Sequence, residues 1–200
     1  MWVVKLGGSL GQDPLLPDWL GLLAQLGGGR VTVVCGGGAF ADEVRRAQAH
    51  WQFDDLSAHH MAVLAMAQSA YQAHGLQPAL KLATRSHEIL RVLHSGHTAL
   101  WLPLDRTSAR PAPQIQGDYR PDSLALDLAI ALNAERLVVV KSCTIDPALD
   151  LVQQVGAGVL DAGFAALARR AVFPIDLVHK SDLRGMRALL LGERRSIGAA

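Results

Sequence analysis

The sequence is short of lysine, aromatic residues and cysteine, and each shortage narrows what the protein can be. Of its 19 Lys and Arg residues, only Lys5, Lys81, Lys141 and Lys180 are lysines, so surface charge is mostly arginine and each lysine calls for a local reason. Aromatics make up 5% of a chain that is 50% hydrophobic. The apolar mass is therefore mostly Leu, Ala and Val, as in an α/β protein whose sheet is covered on both faces. Cys35 and Cys143 sit at the ends of apolar runs and read as reduced structural thiols, not as a disulfide framework. No apolar run reaches the ~18 residues of a membrane span, since "LALDLAIAL" is broken by Asp127 and bounded by Asn133. The N-terminus shows no basic segment leading into a long apolar one, so no signal peptide is visible and a cytoplasmic location is expected. A formal net charge of +1 points to neither nucleic acid nor a membrane surface.

What is present is a repeated order of strand, glycine loop and helix. Residues 2–6 read as a strand buried on both faces, and "RVTVVC" (30–35) as a second. Between them "DPLLPDWLGLLAQLG" keeps Trp19, Leu22, Leu23 and Leu26 at helical spacing, with Asp18 expected as N-cap. Helices are expected over "AFADEVRRAQAHW" and over 54–74, the latter stopped by Gly75. A strand over 97–103 precedes a long loop rich in Pro, Gly and polar residues at 106–121, of the kind that often carries function. Helix "DSLALDLAIALNA", strand "RLVVVK", helix 159–171, strand 174–179 and helix 182–191 complete the pattern. It predicts βαβ units and a mostly parallel sheet between helical layers, a three-layer αβα sandwich in one domain of 200 residues.

Three segments carry chemistry. In "VVKLGGS", Gly7, Gly8 and Ser9 follow a strand and can turn several N–H groups toward one concavity, while Lys5 adds a full charge at its rim. Such a set cradles phosphate oxygens; a tight turn beside a snorkelling lysine is the plainer alternative. In "VVCGGGAFADEVR", Gly36, Gly37 and Gly38 allow close backbone approach to a ligand at a helix N-terminus. The same three glycines in "LGGGR" (26–30) follow a helix and precede a strand, where they serve as a helix C-cap and connector. Third, Asp122 and Ser123 stand where the long loop meets a buried helix, as an N-cap pair or as groups that orient Lys5 and a second lysine. Neither GxxxxGK[ST] nor GxGxxG occurs.

The order "VVKLGGS", "VVCGGGAFADEVR", "PDSLALDLAIALNAERLVVVK" resembles the amino acid kinase superfamily of acetylglutamate, aspartate, carbamate and uridylate kinases, from residue 3 to about 190. Within it, the chain length and "SAHHMAVLAMAQSAYQAHG" are most similar to the aminomethylfuran-phosphate kinase-like branch of methanofuran-type cofactor biosynthesis. The resemblance implies an amino acid kinase fold that binds MgATP on its C-terminal side (about 117–200) and an acceptor on its N-terminal side (about 1–110). It implies a phosphate-stabilising role for Lys5, glycine loops at Gly7–Ser9 and Gly36–Gly38, and an organising carboxylate at Asp122. The preferred acceptor is an aminomethylfuran methyl phosphate, converted to a diphosphate; a carboxylate or carbamate is a second option. A non-catalytic binding or regulatory subunit with a degenerate ATP site is the alternative from another class. ATP and Mg2+ are the expected cofactors, with no direct protein ligand to the metal, and a homo-oligomer is expected because the apolar helices exceed what one small core needs.

The chain departs from that pattern on the nucleotide side. The family's Thr-Asp-Val-Asp-Gly-like run reads "KSCTIDP", with Lys141 in place of the threonine and Ser142 in place of the first aspartate. The Gly-Gly-Met-x-x-Lys segment that supplies a second lysine in several relatives is replaced by the lysine-free "GAGVLDAGFAALARRA". The Val-Asn-Gly turn reads "VHKSDLRG". Lys141 and Lys180, each at the C-terminal end of an expected strand, are candidates for the missing charge, where ligands bind open α/β sheets. Lys141 is taken as catalytic, or else as the ion-pair partner of Asp146; Ser123, Thr144, Asp146 and Lys180 are taken as nucleotide-side residues. His60 is the acceptor-side candidate on the 54–74 helix; with His59 it diverges by about 100° and cannot chelate a metal jointly. His87, His94 and His97 lack zinc-site spacing, and Arg106, Arg110 and Arg120 are possible phosphate clamps.

Overall fold

The computed structural model describes residues 1–107 and 121–193. Six parallel strands, β1 (Trp2–Leu6), β2 (Val31–Cys35), β3 (Lys81–Ala83), β4 (Ala99–Trp101), β5 (Arg136–Lys141) and β6 (Ile175–His179), form one sheet in the order β3-β4-β2-β1-β5-β6. The helices are α1 (Leu16–Leu26), α2 (Gly38–Trp51), α3 (Asp55–Leu76), α4 (Ser86–His94), α5 (Pro121–Ala131), α6 (Leu151–Gly156), α7 (Phe164–Ala168) and α8 (Leu183–Leu191). This is the expected αβα sandwich.

Each face of the sheet carries its own core. Val4, Leu6, Val33, Val138 and Val140 pack with Trp19, Leu20 and Leu23 of α1 and with Met186 and Leu190 of α8. Val3, Val34, Leu137 and Val139 pack on the other face with Ile89 and Leu93 of α4, Leu124, Ala125, Leu126 and Leu128 of α5 and Phe164 of α7. The two-residue alternation of a strand assigns odd-numbered positions of β1 and β5 to the α5 face. Lys5 and Lys141 are both odd-numbered. In the β1–β5 register Lys5 lies opposite Val139, so Lys141 projects from the same face two residues further along the neighbouring strand. β1 leads through α1 to one side of the sheet, and β5 leads through α6 and α7 to the other. The crevice where the order switches therefore opens at the C-terminal ends of these two strands.

Several local expectations need correction. Asp18 is not the cap of α1, which starts at Leu16; it lies in the first turn, just after Pro17, whose missing N–H suits that position. Gly75 does not stop α3, which runs on to Leu76 and is capped at its start by Asp54 accepting from Ser57 N at 2.8 Å. The helix expected over 159–171 shortens to α7, with residues 159–163 in a loop. α6, just before it and separated from it by a turn at Gly158 (φ +73°), was not anticipated. β3 and α4 were not anticipated; a three-residue strand shows no periodicity, whereas Ile89 and Leu93 of α4 keep helical spacing and were a legible signal. β4 keeps only three of the seven residues expected. Most of the expected 106–121 loop, with Arg110 and Arg120, lies outside the described residues. Among the described helices none is long and apolar enough to cross a membrane.

Candidate active site

Two lysines converge on one carboxylate. Lys5 Nζ lies 2.6 Å from Asp122 Oδ1, and Lys141 Nζ donates to Asp122 Oδ2 at 2.7 Å. Lys5 is 3% exposed and Asp122 4%. The strand alternation aims both ammonium groups at the α5 face, and Asp122, in the first turn of α5, meets them there. Burial pushes the Asp122 carboxyl up, but the charges of Lys5 and Lys141 outweigh it and hold the group below the ordinary aspartate range. The partner of Lys141 is thus Asp122 and not Asp146, whose carboxylate accepts instead from Ala148 N at 2.9 Å.

A cleft of about 450 Å³ opens over this triad. One wall is the first glycine loop with Gly8, Ser9 and Gln12; the second is the start of α2 with Gly37, Gly38, Ala39, Asp42 and Arg45; the third is Gly158 to Asp161. The first N–H groups of an α-helix have no intrahelical partner, so α2 presents open donors and its positive dipole end to the cleft. The glycine identities have a more specific cause than ligand access. A Cβ on Gly8 would lie 2.5 Å from Gly38 N, and one on Gly36 would lie 2.6 Å from Gly8 N. Gly38 has φ +52° and its Cβ would meet Gly8 O at 2.6 Å. The two glycine loops touch backbone to backbone, and this contact sets the spacing of the donors around the cleft. Beyond it, Ser9 Oγ donates to Ser142 Oγ at 2.8 Å, linking the first loop to the segment after β5.

Asp161 was missed in the sequence. It lies in the expected helix 159–171 but stands in a loop at the cleft wall, 6% exposed. It accepts from Ser123 N at 2.9 Å and from Ser123 Oγ, so it caps the start of α5 from 38 residues away. Burial, opposed by these two hydrogen bonds and assisted by the charge of Asp122, raises its carboxyl to about 6.

The remaining candidates lie elsewhere. Lys180 is not in the cleft wall; its ammonium is held by Asp13, and its carbonyl accepts from Trp19 Nε1 at 2.8 Å. Thr144 is exposed in the segment after β5. His60 lies on α3, outside the cleft wall, with its ring 5.8 Å from that of His59. Arg106 pairs with Asp127 at 2.8 Å over the Trp101 ring and is no clamp in this arrangement. Of the two thiols, Cys143 is exposed, while burial pushes Cys35 up to about 12 and leaves it inert.

Paired ammonium groups beneath open helix donors suit the transfer of a phosphoryl group between two anions, and the chain falls in that class, the phosphotransferases. Residues 1–143 match the model of the amino acid kinase family, and the chain belongs to that family. No curated protein matches it. Among solved structures it is similar to the uridylate kinase of Archaeoglobus fulgidus, with 17% identity, a TM-score of 0.71 and 96% of each chain covered. It is also similar to the UMP kinase of Ureaplasma parvum, at 11% identity, a TM-score of 0.73 and 97% and 95% coverage. The aspartate kinase of Synechocystis aligns with 90% of this chain but only 38% of its own, at 16% identity and a TM-score of 0.62.

Proposed function

We propose that the chain transfers the γ-phosphoryl group of MgATP to a small phosphate monoester, giving a diphosphate, with an aminomethylfuran methyl phosphate as the preferred acceptor. The observation that carries the reading is Asp122 bridging Lys5 and Lys141 beneath the glycine loops. An acceptor phosphate oxygen attacks the γ-phosphorus, the bond to the bridging oxygen of ADP breaks, and the negative charge passes to ADP. Lys5 and Lys141 stabilise the charge spread over the transferred group, and the α2 N-terminus receives phosphate oxygens on the acceptor side. The nucleotide lies over the segments after β5 and α6. Its Mg2+ arrives with it, as a hard cation that binds substrate phosphates.

The acceptor class follows from proton chemistry. Asp122 has both oxygens engaged by lysines and a depressed pKa, so it is a poor base for a hydroxyl acceptor. An anionic oxygen needs no base. Phosphates and carboxylates both offer one; the uridylate and UMP kinases carry a phosphate acceptor in their names and the aspartate kinase a carboxylate. The first two align over 96% and 95% of their own length and the last over 38%, which supports a phosphate. Phosphorus NMR of the protein with MgATP and aminomethylfuran methyl phosphate tests the reading, with UMP and a carboxylate plus hydroxylamine in parallel. Diphosphate signals coupled to ADP release support it. A hydroxamate alone moves the acceptor to a carboxylate, and no turnover with any of the three favours a non-catalytic subunit.

A further inference from the structure

We infer that Asp161 is a positioning residue for this centre: through Ser123 it fixes the first turn of α5 and thereby holds Asp122 between Lys5 and Lys141. The inference rests on the kinase reading above for its catalytic meaning, but its structural core stands on the ligand-free protein. Both oxygens of Asp161 are committed to Ser123, one to the main-chain N–H at 2.9 Å and one to the hydroxyl. Ser123 follows Asp122 directly, so these bonds fix the peptide that carries the bridging carboxylate. No other described side chain caps that turn, and residue 120, immediately before α5, belongs to the segment outside the described residues.

Sequence-local explanations do not account for Asp161. A helix start is ordinarily capped by its own preceding residue. Here the cap comes from the loop between α6 and α7, on the other side of the cleft, from a carboxylate buried beside phosphate-binding lysines. A carboxylate so placed repels incoming phosphate and is costly to bury unless its hydrogen bonds do something for the site. What they do is tie the loop after α6 to Asp122, so that the third wall of the cleft and the lysine bridge keep one geometry.

The test uses the scarcity of lysine. With side-chain carbon labels on lysine, the full chain gives four lysine signals, from Lys5, Lys81, Lys141 and Lys180. In Asp161→Ala, the Lys5 and Lys141 signals should move or broaden while Lys81 and Lys180 stay in place. Asp161→Asn, which can still accept the Ser123 N–H, should restore them. Ser123→Ala should move the same two signals by less, and it serves if the alanine variant at 161 does not fold. The charged groups facing Asp161 are Asp122 and Lys5. Their neighbourhood should give the wild-type Lys5 signal an inflection near pH 6, the value at which Asp161 titrates, and Asp161→Asn should lose it. With an acceptor in hand, Asp161→Ala should lower kcat by about thirtyfold with KM for ATP changed less than about threefold. Unmoved Lys5 and Lys141 signals in both Asp161→Ala and Ser123→Ala would overturn the inference, as would equal movement of all four. Absence of turnover in the wild type would instead overturn the kinase reading and leave the lysine spectra to judge Asp161.

Discussion

Two triple-glycine segments flank β2, and they are put to different uses. Before the strand, Gly27 N donates to Leu23 O, Gly29 N (φ +77°) to His97 O and Arg30 N to Gly27 O, so the donors of this connector are largely consumed internally. After the strand, Gly36 N is tied to Leu6 O, but the first turn of α2 leaves its N–H groups open beside Lys5. Close packing does not distinguish them. A Cβ on Gly28 would lie 2.4 Å from Gly96 O, as tight as the contacts between the two loops at the cleft. Glycine at both ends answers to backbone crowding, and only the C-terminal end of the sheet adds free donors and buried charge.

That difference can be broken most severely at the charge. Lys5→Ala should lower turnover by about 10³-fold, a loss of ~4 kcal/mol of transition-state stabilisation, measured by coupled ADP release. Asp122→Asn leaves the buried Lys5 facing an uncharged amide, and thermal melting should show a loss of ~3–5 kcal/mol, on the order of 10 °C. The glycine pair sharpens the contrast. Gly28→Ala and Gly36→Ala should each cost about 1–3 kcal/mol of stability, because each must displace backbone. Only Gly36→Ala should also weaken MgATP binding, by about tenfold or more, since it separates the two loops that space the anion donors. Gly28→Ala should bind as the wild type does in calorimetry.

The smallest effect concerns Asp161. Its folded pKa, about 6, lies above its ordinary 3.8, so the folded state holds the proton more tightly. Stability from this group is therefore highest below pH 4 and falls as pH rises through 6. At pH 7.5 Asp161→Asn removes that penalty and should melt a few degrees higher than the wild type, with the gap closing toward pH 4.

Much of this was legible in the sequence because periodicity and glycine placement are local signals. β1 and β5 were read at their observed bounds, and the role of "LGGGR" as a connector followed from its place after a helix. Lys5, Lys141 and Asp122 were each singled out, but their meeting depends on the β1–β5 register, which no local pattern encodes. Asp161 was lost for a related reason. It lies between Leu160, which packs with Phe164 in the α5-side core, and Gly163, and the surrounding alanines and leucines imitate a helix across 159–163, where the chain makes a loop before α7. A lone acidic residue in an otherwise apolar run was the available signal. The mutual need of Gly8 and Gly36 was likewise invisible, since it arises only when two loops 28 residues apart pack against each other.

The central claim is that the Lys5–Asp122–Lys141 centre receives MgATP. Calorimetric titration of the purified protein with a non-hydrolysable MgATP analogue, beside a folded Lys5→Ala variant, tests it most directly. The account predicts saturable binding in the wild type that weakens at least about tenfold in the variant. Equal affinity in the two proteins, or no heat up to millimolar analogue with the wild type folded, would contradict it.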